Sequence, residues 1–173
     1  MLEQVEPDVS ADLGPTPSQA LHSAILCDVA DLDRDELSEF LSAVRSLALL
    51  AERSAEQVGL TLAQMRVLFT VSDLGRGSCS AVAARLHVSV SSVTRLIARP
   101  TMTELVSRTV SPTNASAVNL ELTGEGASIV QRVTVHREQI LRTALADVDA
   151  QSRTVAASVL AQMTERISAA VTS

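Results

Sequence analysis

Between residues 61 and 123 the spacing of apolar side chains changes in a fixed order that few folds accommodate. Thr61-Leu-Ala-Gln64 reads as a capping box, with Gln64 placed to reach back to the Thr61 backbone. Met65, Leu68 and Phe69 then recur at helical spacing until Gly75-Arg76-Gly77. Ser80 opens a further helical pattern with Val82 and Leu86 inward, and Ser89 opens another with Val93, Leu96 and Ile97 inward. After Arg99 the period falls to two. Leu105–Val110 and Ala117–Leu122 read as strands around the turn Ser111–Ser116, with Val118, Leu120 and Leu122 alternating with Asn119 and Glu121.

Short helices followed by a hairpin are the order of a winged helix-turn-helix, in which one helix enters a DNA major groove and the hairpin touches backbone or minor groove. The helix opened by Ser89 presents Ser91, Ser92, Thr94, Arg95, Ala98 and Arg99 on its outward side. That face is polar, small and cationic, so base edges can approach it without obstruction. Serine and threonine lower helix propensity, and an ordinary solvent face would more often carry Glu or Lys.

Charge follows the same division. The net charge is −6, and residues 1–59 hold 12 acids against 3 arginines. Residues 60–123 hold 6 arginines against Asp73, Glu104 and Glu121, and 124–173 hold 5 of each sign. The positive surplus therefore coincides with the reading segment, as phosphate contact requires. Lysine is absent, so such contacts fall to guanidinium forks and hydroxyl donors.

The flanks carry a different pattern. Residues 1–33 read as an N-terminal extension, partly flexible, with a short helix around Leu21, Ile25, Leu26 and Val29. Asp33 is placed to cap a long helix with Leu37, Phe40, Leu41, Val44 and Leu47 on one stripe, ending near Gly59. Thr123 begins another, through Val130, Val133, Ile140, Leu141 and Leu145, and a break at Asp147-Val-Asp149 precedes a last helix with Val155, Val159, Leu160, Met163, Ile167 and Val171. Neither C-terminal helix has an obvious core within the winged segment, so their faces are best buried across a two-fold axis. The expected fold is mainly α with a small β-hairpin: a winged helix-turn-helix domain at 60–123, an N-terminal dimerisation helix at 34–59 and C-terminal dimerisation helices at 124–173. A dimer would set two reading helices roughly 34–36 Å apart on a palindromic site.

Other classes find little support. His22, His87 and His136 stand apart, and no paired-His helix, nucleophile elbow or phosphate-binding glycine loop is present, so no catalytic residue, metal or cofactor is assigned. No apolar run is long enough to span a bilayer, no signal segment opens the sequence, and Cys27 and Cys79 make no disulfide framework. These features point to the cytoplasm and away from membranes.

The segments LTLAQMRVL, SAVAARLHVSVSSVTRLIAR, LVSR and AVNLELTGEG together resemble the MarR family of bacterial winged-helix transcriptional regulators, over about residues 34 to 171. The resemblance implies a homodimer joined by its terminal helices and bound to palindromic double-stranded operator DNA, usually as a repressor. It also implies relief by a small phenolic or other lipophilic ligand, or by cysteine oxidation. Carried over by position, Ser89, Ser91, Ser92, Thr94 and Arg95 fall where the family reads DNA, and Arg99 and Arg108 match basic positions near the phosphates. Neither cysteine stands at the family's usual sensing position, so small buried or half-buried side chains are the preferred reading of both.

The chain departs from the family in three places. Asn114-Ala115-Ser116 stands where the wing tip usually carries an Asp followed by arginines, which should weaken binding and flatten its salt dependence. Pro100 should end or kink the reading helix. Glu104 replaces a usual glycine and adds a negative charge near the DNA-facing region. These departures keep an alternative open: a winged-helix dimer with weakened DNA binding, acting as a protein-interaction or ligand-binding module.

Overall fold

The computed structural model describes residues 33–111 and 114–172. The expected N-terminal extension and Cys27 lie outside the described residues, as do the side chains of Asn114, Ala115 and Ser116. Seven helices and three short strands run in the order α1 Arg34–Glu56, α2 Leu62–Leu74, β1 Gly77–Ser78, α3 Cys79–Leu86, α4 Val90–Ile97, α5 Pro100–Thr103, β2 Val106–Ser111, β3 Asn114–Leu122, α6 Gly124–Ala144 and α7 Ala150–Thr172 among these residues. The chain divides into two compact units between Ser46 and Leu47. The described part of the first unit is the leading half of α1, on which Leu37, Phe40, Leu41 and Val44 are exposed.

In the second unit, local chemistry sets the helix limits. Gly59 and Gly75 take positive φ after α1 and α2, a conformation that glycine adopts without steric penalty. The capping box is complete: Gln64 N–H donates to Thr61 Oγ1 at 3.3 Å, and Thr61 N–H donates to Gln64 Oε1 at 2.9 Å. Gln64 Nε2 also donates to Thr101 Oγ1 at 3.0 Å, which ties the start of α2 to α5. Helix α3 begins earlier than Ser80, because the Ser78 hydroxyl accepts from Ala81 N–H at 3.1 Å and makes Ser78 the cap. His87 closes α3 in the left-handed region at φ 53°, and Ser89 then caps α4.

Helix α4 stops at Ile97, and Pro100 occupies the first turn of α5, where its missing N–H costs no ladder bond. The hairpin is antiparallel, with Val106 opposite Leu122 and Val110 opposite Val118. It extends further than the alternation implies: Asn114 to Ser116 belong to β3, Ser111 pairs with Asn114, and the register shifts at Val110/Ser111. On its other edge β3 pairs with β1, Gly77 opposite Leu120 and Ser78 opposite Asn119. The sheet is thus three-stranded with β3 central.

One core joins these elements: Ala55, Leu60, Met65, Leu68, Val71, Val82, Val93, Ile97, Met102, Leu105, Val106 and Leu120 are all buried in it. Ile129, Val130 and Val133 belong to it as well, so α6 does have a core within the winged domain, contrary to the expectation from its sequence. The close approach is made at Gly126, where a Cβ would lie 2.1 Å from the Leu105 carbonyl oxygen. Thr123 fastens the same corner, donating its hydroxyl to Glu104 O at 2.8 Å and accepting from Gly126 N–H at 3.1 Å. No residue of α7 with a described side chain is buried.

Candidate nucleic-acid interface

The eight residues of α4 divide their surface unevenly. Val93 and Ile97 are buried, Leu96 is half-buried, and Ser91, Thr94, Arg95 and Ala98 are exposed, with Ser89 and Arg99 exposed at either end. Ser92, expected to face outward, is half-buried on the flank, because the buried stripe through Val93 and Leu96 runs beside it. The Ser89 hydroxyl accepts from Ser92 N–H at 3.2 Å and lies 2.9 Å from Ser91 Oγ and 2.8 Å from Ser92 Oγ. Three hydroxyls thus cluster at the positive end of the α4 dipole. Arg95 Nη2 reaches Ser92 Oγ at 3.5 Å, and the Thr94 hydroxyl donates to Val90 O at 2.9 Å. In this arrangement Thr94 offers lone pairs outward rather than a proton.

Arg99 is the exposed cap of α5, and Arg108 is exposed on β2 opposite Leu120. Among the described residues Arg66, Arg85, Arg95, Arg99 and Arg108 form no ion pair, whereas Arg76 pairs with Glu121 at 3.4 Å. The positive surplus of the segment is therefore carried by guanidinium groups with no carboxylate partner, which suits them to charge-assisted bonds with phosphate or base acceptors. Glu104 is exposed at the end of α5.

Sequence spacing passes over two exposed apolar residues on either side of the Ser89 cap, Val88 in the preceding turn and Val90 at the start of α4. Val90 stands three residues before Val93 and seven before Ile97, so periodicity alone assigns it inward. The core ends one turn short of it, and the side chain remains 45% exposed.

A second constellation, also illegible in the sequence, centres on Arg137 of α6. Its Nε donates to Ser54 Oγ at 2.7 Å, its Nη2 donates to Ala51 O at 3.1 Å, and its guanidinium lies 4.9 Å from the centre of the Phe69 ring. One cation thereby joins the end of α1, α6 and α2. Burial lowers its pKa from the ordinary arginine value, and among the described residues it forms no ion pair. Beside this knot a cleft of about 260 Å³ is lined by Ser54, Gln57, Val58, Arg132, Val133 and His136. Its lining is largely polar, with Arg132 its cationic member.

Cys79, the first residue of α3, packs half-buried against the core, and the nearby Arg76 is engaged with Glu121. Among the described residues no group of three or more His, Cys, Asp or Glu is placed to hold a metal ion, and no helix is long and apolar enough to cross a membrane.

Known proteins share both the pattern and the geometry. The MarR family profile matches residues 60–118. The HTH-type transcriptional repressor MdtR of Bacillus subtilis (strain 168) is 29% identical over 112 residues, 65% of this chain and 72% of that protein. The crystal structure of Rv1404 from Mycobacterium tuberculosis is similar with a TM-score of 0.69 at 27% identity, covering 79% of this chain and 95% of that one. A cysteine-to-serine mutant of E. coli MarR complexed with operator DNA has a TM-score of 0.58 at 19% identity, covering 73% and 92%, a likeness of fold.

Proposed function

We propose that this chain, which matches the MarR family profile over residues 60–118 and resembles a MarR-type repressor, works as a homodimeric repressor that grips a palindromic operator through α4 and is released by a small ligand. The observation that carries this reading is the exposed Ser/Thr/Arg face of α4, flanked by arginines that form no ion pair among the described residues. Ser89, Ser91, Ser92, Thr94 and Arg95 supply contacts in the major groove, and Arg99 and Arg108 hold phosphates. The operator complex of the E. coli relative supports the docking mode, and the repressor from Bacillus subtilis supports the sign of regulation.

The helices at 34–59 and 124–173 serve as the dimer contact in this reading, and residues 60–123 as the reading domain. Exposed apolar residues on α1, α6 and α7 favour such a contact. The cleft beside Arg137 is the candidate ligand site. A cytoplasmic location is part of this reading, as a regulator of transcription requires access to DNA.

The test is a titration of the protein against duplex DNA from upstream of its own gene and against a scrambled duplex, across a salt series. Tighter binding to the first is expected, with a steep fall in affinity as salt rises. Arg99→Ala in both subunits should flatten that salt slope by about 2, one phosphate contact per subunit. Equal and weak binding to both duplexes would sink operator recognition and favour a winged-helix dimer serving as a protein-interaction or ligand-binding module.

A further inference from the structure

We infer that Val90 is a specificity-determining residue, reading the 5-methyl group of thymine in the operator half-site. The inference rests on the DNA-binding function proposed above and assigns a role to a side chain that neither core packing nor polar contact explains. Val90 is the first residue of α4 and is 45% exposed, although the same helix buries Val93 and Ile97 almost completely. A β-branched, apolar side chain at an exposed helical position brings lower helix propensity, and Val90 gains only partial burial in return.

Its neighbours sharpen the assignment. Ser89, Ser91 and Ser92 share hydrogen bonds with one another, and the Thr94 hydroxyl is turned onto Val90 O. At the leading end of the helix the hydroxyls are thus mutually engaged, and the two Val90 methyls stand as an apolar point among them. In a helix-turn-helix it is the first residues of the reading helix that meet base edges. Thymine alone among the four bases offers a methyl group in the major groove, and apolar side chains recognise it by contact. Val88 is also exposed, but it lies in the turn before the cap, whereas the helix fixes Val90 in direction. The choice between a T·A and a C·G pair at that step would then rest on burial of one methyl group against Val90.

The experiment compares two duplexes of the same upstream sequence, one with thymine and one with deoxyuridine at every thymine position. Deoxyuridine keeps each Watson–Crick hydrogen bond and lacks only the methyl group. Wild-type protein should bind the thymine duplex more tightly, by about fourfold for each methyl group that Val90 covers. Val90→Ala, a replacement favourable to helix formation that shortens the apolar contact, should lose most of this thymine preference while keeping its fold by circular dichroism. Equal binding of the two duplexes by wild-type protein would overturn the assignment to Val90 and leave DNA binding intact. So would a Val90→Ala variant that keeps the full thymine preference, because the methyl would then be read elsewhere. Failure of the wild type to bind either duplex would instead overturn the DNA-binding function, and this role with it.

Discussion

Val133 and Ile140 lie two turns apart on α6, yet the first is 2% exposed and the second 39%. The leading half of the helix, with Ile129, Val130 and Val133, closes the core shared with α2, β2 and β3. The trailing half, with Ile140 and Leu141, belongs with α7, where Val155, Leu160 and Ile167 also remain exposed. Both halves carry the same helical spacing of apolar residues, so the period records that a face is to be buried without saying against what. In the winged domain the partner is within the chain. On the trailing half of α6 and on α7 no described residue buries the apolar face, and a second copy is the partner proposed here.

The contrast can be broken most sharply with two leucines. Leu68→Ala, at a fully buried position, should cost about 3 kcal/mol in chemical denaturation. Leu160→Asp, at a position 50% exposed, should change the stability of the isolated subunit by only about 0.5 kcal/mol, yet shift sedimentation from dimer toward monomer. Unchanged sedimentation would mean that α7 does not form the contact. A smaller effect is expected at Arg137, on the border between the two regimes. Arg137→Met should lose about 2 kcal/mol, from two hydrogen bonds and a ring contact. Arg137→Lys should recover only part of this, since an ammonium cannot span Ser54 and Ala51 as a planar fork does. Equal stability of all three proteins would show that the knot is ornamental.

The smallest effect concerns α7 and its response to acid. Ser152, through its hydroxyl and then its backbone N–H, holds the Asp149 carboxyl below the usual aspartate value, and Gln151 N–H adds a bond at 3.0 Å. A depressed carboxyl pKa favours the folded cap above the unfolded value of about 4, and this contribution disappears as pH falls through the folded value. A slight loss of helical circular dichroism is therefore expected below about pH 4, and Asp149→Ala should remove that step. If the variant kept the same acid profile, the cap would not govern the end of α7.

What was legible in the sequence was local. The Thr61 box, the helix limit set by Pro100 and the cap at Thr123 each depend on residues within one turn of each other, and each stands where its chemistry requires. The exposed Ser91, Thr94, Arg95 and Arg99 were legible for the same reason, because Val93 and Ile97 define the opposite face. Less legible were features made by distant partners. Strand β1 is only Gly77 and Ser78, and it exists because β3 passes alongside more than forty residues later in the chain. Arg137 looks like an ordinary polar residue until Ser54 and Phe69 meet it. Val90 escaped for the opposite reason: its spacing is that of a core residue, but the core does not reach it.

On the proposed reading, Pro100 also limits how much sequence information one subunit can gather. With α4 ending at Ile97, its eight residues span about 12 Å, or roughly four base-pair steps of 3.4 Å. A given four-base word recurs by chance about once in 256 positions, far too often to mark one address among the million or more sites of a genome. Two such words at a fixed separation recur about once in 65,000. The short helix therefore makes the pairing of two subunits at a fixed spacing, more than the contacts of either one alone, the carrier of address.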